Sequence, residues 1–219
     1  MAKQNIGMHP AAALLVIQLL FPRQYHEDET QATSGQQWMA LIDDGEGSSL
    51  RHVTIGVERV TDVDDEPGQK SGKEVSIAAP VREESVIVLL RGMSLREGSV
   101  PTARCSNEGD VGKPIQCSLP NAATKYQLAI DCNSGRCPMT LSANGMSQRL
   151  FVFNKDAESP DFKGLRVIWA GDLDGDGKLD LLVDVTNGYN AGDTALYLSS
   201  KAKSGHLVGL AATLKTVGC

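Results

Sequence analysis

The stretch WAGDLDGDGKLDLLVDV, residues 169–185, decides how the rest of the chain is read. Five acidic residues fall between Asp172 and Asp184, and four of them are spaced D-x-D-x-D-G-x-x-D. Carboxylates at the first, third and fifth positions of a coiled loop, Asp172, Asp174 and Asp176, converge on one point. A hard cation such as calcium takes about six to eight oxygens at roughly 2.3–2.6 Å. Lys178, at the seventh position, need supply only its backbone carbonyl, so a basic side chain is tolerated there. Gly177 permits the sharp turn, and Asp180 closes the shell. Clustered carboxylates without a cation repel one another. Magnesium suits the loop less well, because it rarely accepts an all-protein cage.

The flanks determine what the loop connects. An EF-hand needs a bidentate acid at the twelfth position, and here that position is Val183. LRVIWA precedes the loop, and LDLLVDV follows with a period of two. Leu179, Leu181, Val183 and Val185 share one strand face, and Asp180 and Asp184 share the other. The loop therefore joins two strands, with Asp184 and Asp193 as weaker candidate ligands and Asp184 reading as a solvent-facing strand residue. A dockerin loop, by contrast, enters a helix.

On these residues AGDLDGDGKLDLLVDV closely resembles the calcium-binding hairpin of FG-GAP repeats, as found in the integrin α-chain propeller. The resemblance implies calcium held by Asp172, Asp174, Asp176, the Lys178 carbonyl and Asp180. It covers this hairpin only. A propeller needs several repeated blades, and the acidic motif occurs once in 219 residues. The expectation is a single such hairpin set in a smaller β domain, as in bacterial exported proteins that carry a lone repeat.

Outward from the hairpin, short apolar runs with alternating or β-branched character recur between Gly, Asn, Asp and Pro. They include QWMALI (37–42), RHVTIGVERV (51–60), SVIVLL (85–90), YQLAI (126–130), RLFVF (149–153), TALYLSS (194–200) and HLVGLAATL (206–214). This pattern predicts an all-β fold of antiparallel, sandwich-like or meandering sheets. Residues 61–74 and 106–114 read as loops. Asn187-Gly188 marks a turn after the acidic hairpin.

Lys3 precedes the apolar run PAAALLVIQLLF (10–21). It is too short to span a bilayer, which needs about 20 residues. A positive start before such a run suggests an export signal, or else a short buried helix. Residues 1–34 are assigned to a signal and linker, and residues 35–219 to one β domain. The five cysteines, Cys105, Cys117, Cys132, Cys137 and Cys219, lack zinc spacing. Two disulfides and one remaining thiol are expected, with CNSGRC (132–137) able to close a small loop and Cys219 able to reach Cys105 or Cys117. Such usage fits a periplasmic or secreted protein.

A net charge of −6 without basic clusters argues against a nucleic-acid partner. No nucleophile elbow or phosphate loop is complete. His9, His26, His52 and His206 are scattered, and Trp38 and Trp169 lie in apolar runs that suit core packing. DVDDE (62–66) lacks a glycine to fold it back on a cation. The sequence thus predicts a non-enzymatic, exported β protein with structural Ca2+. Its alternatives are a calcium-dependent adhesion or carbohydrate-binding module with a protein or glycan ligand, and a hydrolase or hydrolase inhibitor whose site is not evident.

Overall fold

The structure is a computed structural model, which describes residues 16–106, 113–154, 165–188 and 191–217. Every regular element among these residues is a strand, apart from two 3-10 turns, Glu83–Ser85 and Ser199–Lys201. The strands form three antiparallel sheets.

The first sheet contains β1 (Gln18–Leu20), β2 (Gln24–Tyr25), β3 (Gln37–Asp43), β4 (Ser48–Val60), β5 (Gly72–Ile77), β6 (Val86–Arg91) and β7 (Gly98–Val100). Its order is β1-β6-β3-β4-β5-β2, with β7 also pairing β4. Neighbouring strands lie about 4.8 Å apart, so a flat sheet would hold β1 and β2 roughly 24 Å apart. Only residues 21–23 separate them in sequence, and four Cα steps reach at most about 14 Å. The sheet must therefore curl until its two ends meet. Tyr25 fixes that corner: its hydroxyl accepts from Phe21 N–H at 2.7 Å and donates to Phe21 O at 3.0 Å.

The other two sheets are meanders in chain order. One contains β8 (Arg104–Cys105), β9 (Ile115–Ser118), β10 (Lys125–Ile130), β11 (Arg136–Ala143) and β12 (Met146–Asn154). The other contains β13 (Arg166–Gly171), β14 (Asp180–Asp184), β15 (Ala191–Leu198) and β16 (Gly209–Val217).

The four-stranded sheet is the middle layer. Trp169, Leu182, Leu196 and Leu198 join the core of the curled sheet. Their sequence neighbours Ala170, Leu181, Val183, Ala195 and Tyr197 join the core of the five-stranded sheet. Successive side chains of a strand point to opposite faces, so each strand of this layer feeds two cores. The one-sided reading of LDLLVDV is corrected accordingly. Leu182 shares the face of Asp180 and is fully buried, which leaves that face covered rather than open to solvent.

Two disulfides staple the five-stranded sheet. Cys105–Cys117 joins directly opposed residues of β8 and β9, and Cys132–Cys137 closes the β10–β11 hairpin. Loops of these lengths correspond to about 2–3 kcal/mol each in the chain-entropy account. Cys219 lies outside the described residues.

The N-terminal expectation changes. Residues 10–15 of the apolar run lie outside the described residues, but Gln18–Leu20 is a strand paired with β6, not a helix. Leu19 and Leu20 are core residues, as are Tyr25 and Ala32. The packed structure therefore extends N-terminal of residue 35. A short apolar run carries no periodicity that separates strand from helix, and here pairing with the Leu89–Arg91 edge decides it.

Gly171, the last residue of β13, is required by close packing. A Cβ there would lie 2.3 Å from the Trp169 ring and 2.6 Å from Pro101 O. Gly171→Ala is expected to cost about 1–3 kcal/mol through overpacking, read as a lower denaturant midpoint. An unchanged midpoint would mean that the 100–103 segment moves aside freely.

Candidate metal centre

The acidic loop closes a β-hairpin: Gly171 and Asp180 are directly paired, and residues 172–179 form the connection between β13 and β14. Its base is fixed from outside by the Asp172 N–H, which donates to Pro101 O at 2.8 Å. Leu173 is buried in one core and Leu179 in the other, so the loop is anchored on both sides of the middle sheet. Asp172 coils it, with Oδ1 accepting from Gly175 N at 2.9 Å and Oδ2 from Gly177 N at 3.0 Å. Both glycines have φ near +78°, a left-handed conformation that side chains disfavour.

Within this coil Asp172, Asp174 and Asp176 each present a carboxylate oxygen, and the three atoms lie within 4.8 Å of one another. Two oxygens on opposite sides of a calcium ion with bonds of about 2.4 Å would be about 4.8 Å apart, so the spacing fits such an ion.

Asp180 has no exposed surface. Its Oδ2 accepts from Leu173 N at 2.7 Å, and its Oδ1 accepts from Ser199 N at 2.7 Å. Each oxygen retains a second lone pair. Burial pushes this carboxyl up to about 7; the Ser199 amide opposes the shift, and the negative charge of Asp174 adds to it. Lys178 is exposed, and its N–H donates to Asp176 Oδ1 at 2.9 Å.

A second segment, the 3-10 turn after β15, completes the cluster. Ser199 Oγ lies 2.8 Å from both oxygens of Asp176 and 3.1 Å from Asp180 Oδ1. Its single proton serves one acceptor at a time. Ser200 Oγ donates to Asp174 Oδ2. Asp174 Oδ1 is different, because it is buried and has no hydrogen-bond partner. A buried carboxylate oxygen without a donor is costly, and a cation among the three carboxylates would satisfy it. The donor set is all oxygen, which suits a hard ion.

The three spaced aspartates therefore converge as expected, while Asp180 is not part of that group and is linked to it through Ser199 Oγ. Ser199 and Ser200 were not legible as partners, since 23 residues separate Ser199 from Asp176. Asp184 stands apart from the cluster: its Oδ2 lies 3.8 Å from Arg166, and its Oδ1 accepts from Thr186 N. Trp38 and Trp169 are buried, and Trp169 Nε1 donates to Ser48 Oγ at 3.0 Å across two sheets.

Two groups read as linker and loop meet elsewhere. His26 Nδ1 lies 2.7 Å from Asp62 Oδ2, and Asp62 is buried. The DVDDE stretch is thus an organised turn, in which Asp65 accepts from Asp62 N and Ser71 N. Those bonds, the Asp62 amide first, hold the Asp65 carboxyl below its usual range. The hydrogen bond to Asp62 raises the His26 value. A histidine raised in the fold adds stability below its unfolded value of about 6.5, and loses it as pH rises through the folded value. The melting difference between the wild type and His26→Asn is therefore expected to be larger at pH 5.5 than at pH 8.5. A difference independent of pH would contradict this.

No protein family, curated protein or solved structure matches the chain. The likeness to an FG-GAP hairpin therefore rests on residues 170–185 alone. No helix among the described residues is long and apolar enough to cross a membrane.

Proposed function

We propose that the chain is an exported, non-enzymatic β protein whose acidic hairpin binds calcium as a structural staple. The observation that carries this reading is the buried, unpartnered Asp174 Oδ1 beside the converging carboxylates of Asp172 and Asp176. Asp172, Asp174, Asp176 and Asp180, with the Lys178 carbonyl, are the proposed ligands. A cation held by four carboxylates and a carbonyl has few positions left for water, which favours a structural role over a catalytic one. Bound there, it would join the middle sheet to the turn after β15 through the Ser199 and Ser200 contacts. The two disulfides are compatible with an oxidising compartment.

Titration calorimetry tests the site directly. The full chain should bind one calcium ion, and Asp174→Ala should bind none. The absence of saturable calcium binding by the wild type would overturn the reading.

A second reading, a calcium-dependent ligand-binding module, draws support from a surface cavity of about 500 Å³ that Asp174 and Ser200 line together with Met93, Leu198 and Lys201. No aromatic ring lines this cavity, so it offers no platform on which a sugar could stack. Glycan binding measured with and without calcium separates the two readings.

A further inference from the structure

A separate cleft of about 570 Å³ opens where the β2 edge of the curled sheet meets the ends of β15 and β16. Its chemistry is uneven once donors and acceptors are matched. Glu29 lines it, but both of its oxygens are used: Oε2 accepts from His26 N at 2.9 Å, and Oε1 accepts from Val217 N. Asp62 is likewise occupied, by Val63 N at 2.6 Å and by His26.

Arg23 is the exception. Its guanidinium donates to Thr216 Oγ1 at 3.0 Å and interacts with the Tyr25 hydroxyl, and no carboxylate among the described residues pairs with it. The Phe21 and Tyr25 rings, 5.4 Å and 5.1 Å from its central carbon, hold the planar group in place. A guanidinium has five N–H donors in a fixed fork that matches a carboxylate. The spare capacity of the cleft is therefore donor capacity. At its mouth stand two exposed apolar side chains, Val63 and Val217, with 64% and 62% of their surfaces accessible. A ligand that satisfies both features carries an anionic fork at one end and a compact apolar group at the other.

We propose that this cleft binds a small organic carboxylate with a branched apolar body, the carboxylate on Arg23 and the apolar group against Val63 and Val217. The two acids of the cleft keep their charge, but their oxygens already accept internal donors and so do not compete for the Arg23 N–H groups. The site is independent of the calcium loop.

Calorimetry with the full chain supplies the test, using N-acetyl-L-valine, its neutral amide and isovalerate as probes. At least one acid should bind saturably, and the amide should bind N-acetyl-valine's site at least about tenfold more weakly, since it cannot accept a charge-assisted fork. Isovalerate as tight as N-acetyl-valine would assign a free acid as the source; a preference for N-acetyl-valine would assign a peptide C-terminus. Arg23→Gln should weaken the acids by about tenfold or more. Val63→Asp, at an exposed position where folding is not at risk, should weaken them as well by placing a like charge at the mouth. Both variants should keep the calcium response of the wild type. Failure of both acids to saturate, an amide as tight as its acid, or unchanged binding in Val63→Asp would overturn the proposal.

Discussion

In saturating calcium the chain is expected to melt roughly 10 °C higher than in chelator, and Asp174→Ala is expected to abolish that difference. Free calcium at about a thousand times its dissociation constant stabilises a native state by about 4 kcal/mol, and each kcal/mol moves the midpoint of a domain this size by about 2–4 °C. The informative comparison is made without calcium. In chelator the wild type keeps a buried Asp174 oxygen with no donor and a charge that raises the Asp180 carboxyl. Asp174→Ala removes both and loses one hydrogen bond from Ser200. The unsatisfied oxygen costs about 1–3 kcal/mol and an ordinary hydrogen bond contributes about 1 kcal/mol. The variant should therefore melt at or above the wild type in chelator, and well below it in calcium. Scanning calorimetry of both proteins in both buffers checks the crossover. Equal midpoints for the wild type with and without calcium would remove the staple.

What the sequence disclosed follows from which interactions are local. The coil of residues 172–180 is set by glycines and aspartates within nine positions, so its convergence could be read from spacing. The all-β character was equally legible, because alternation is a local pattern. Burial on both faces of the middle sheet was less visible. Leu182, between Leu181 and Val183, was the local sign that the second face is also covered, as continuous apolar runs mark strands buried on both sides. Other features depend on distant partners. The strand at Gln18–Leu20 exists because Leu89–Arg91 lies beside it. His26 meets Asp62 across 36 residues, and Arg23 reaches Thr216 across 193. No spacing rule connects such positions, because the strand pairing and sheet packing that bring them together are properties of the whole chain.

Asp180→Ala is expected to destabilise the chain by about 2–4 kcal/mol even in chelator, the opposite of Asp174→Ala in the same buffer. Both residues belong to one proposed ligand set, but their hydrogen bonding differs. Asp180 accepts the Leu173 and Ser199 amides, one on each oxygen, with no exposed surface. Its removal leaves two buried N–H groups unmatched at about 1–3 kcal/mol each. The loss is partly offset, because burial already disfavours the ionised carboxylate and pushes it up to about 7. Loss of the Ser199 amide contact also loosens the turn after β15, which then holds to the hairpin only through Asp176 and Asp174. Asp180→Asn keeps one acceptor oxygen and should recover about half of the loss, without restoring calcium binding. Denaturant unfolding in chelator measures all three proteins on one scale. An Asp180→Ala midpoint equal to that of the wild type would show that water replaces the carboxylate at no cost. Asp180 would then be a ligand like its neighbours rather than the residue that builds the loop with or without an ion.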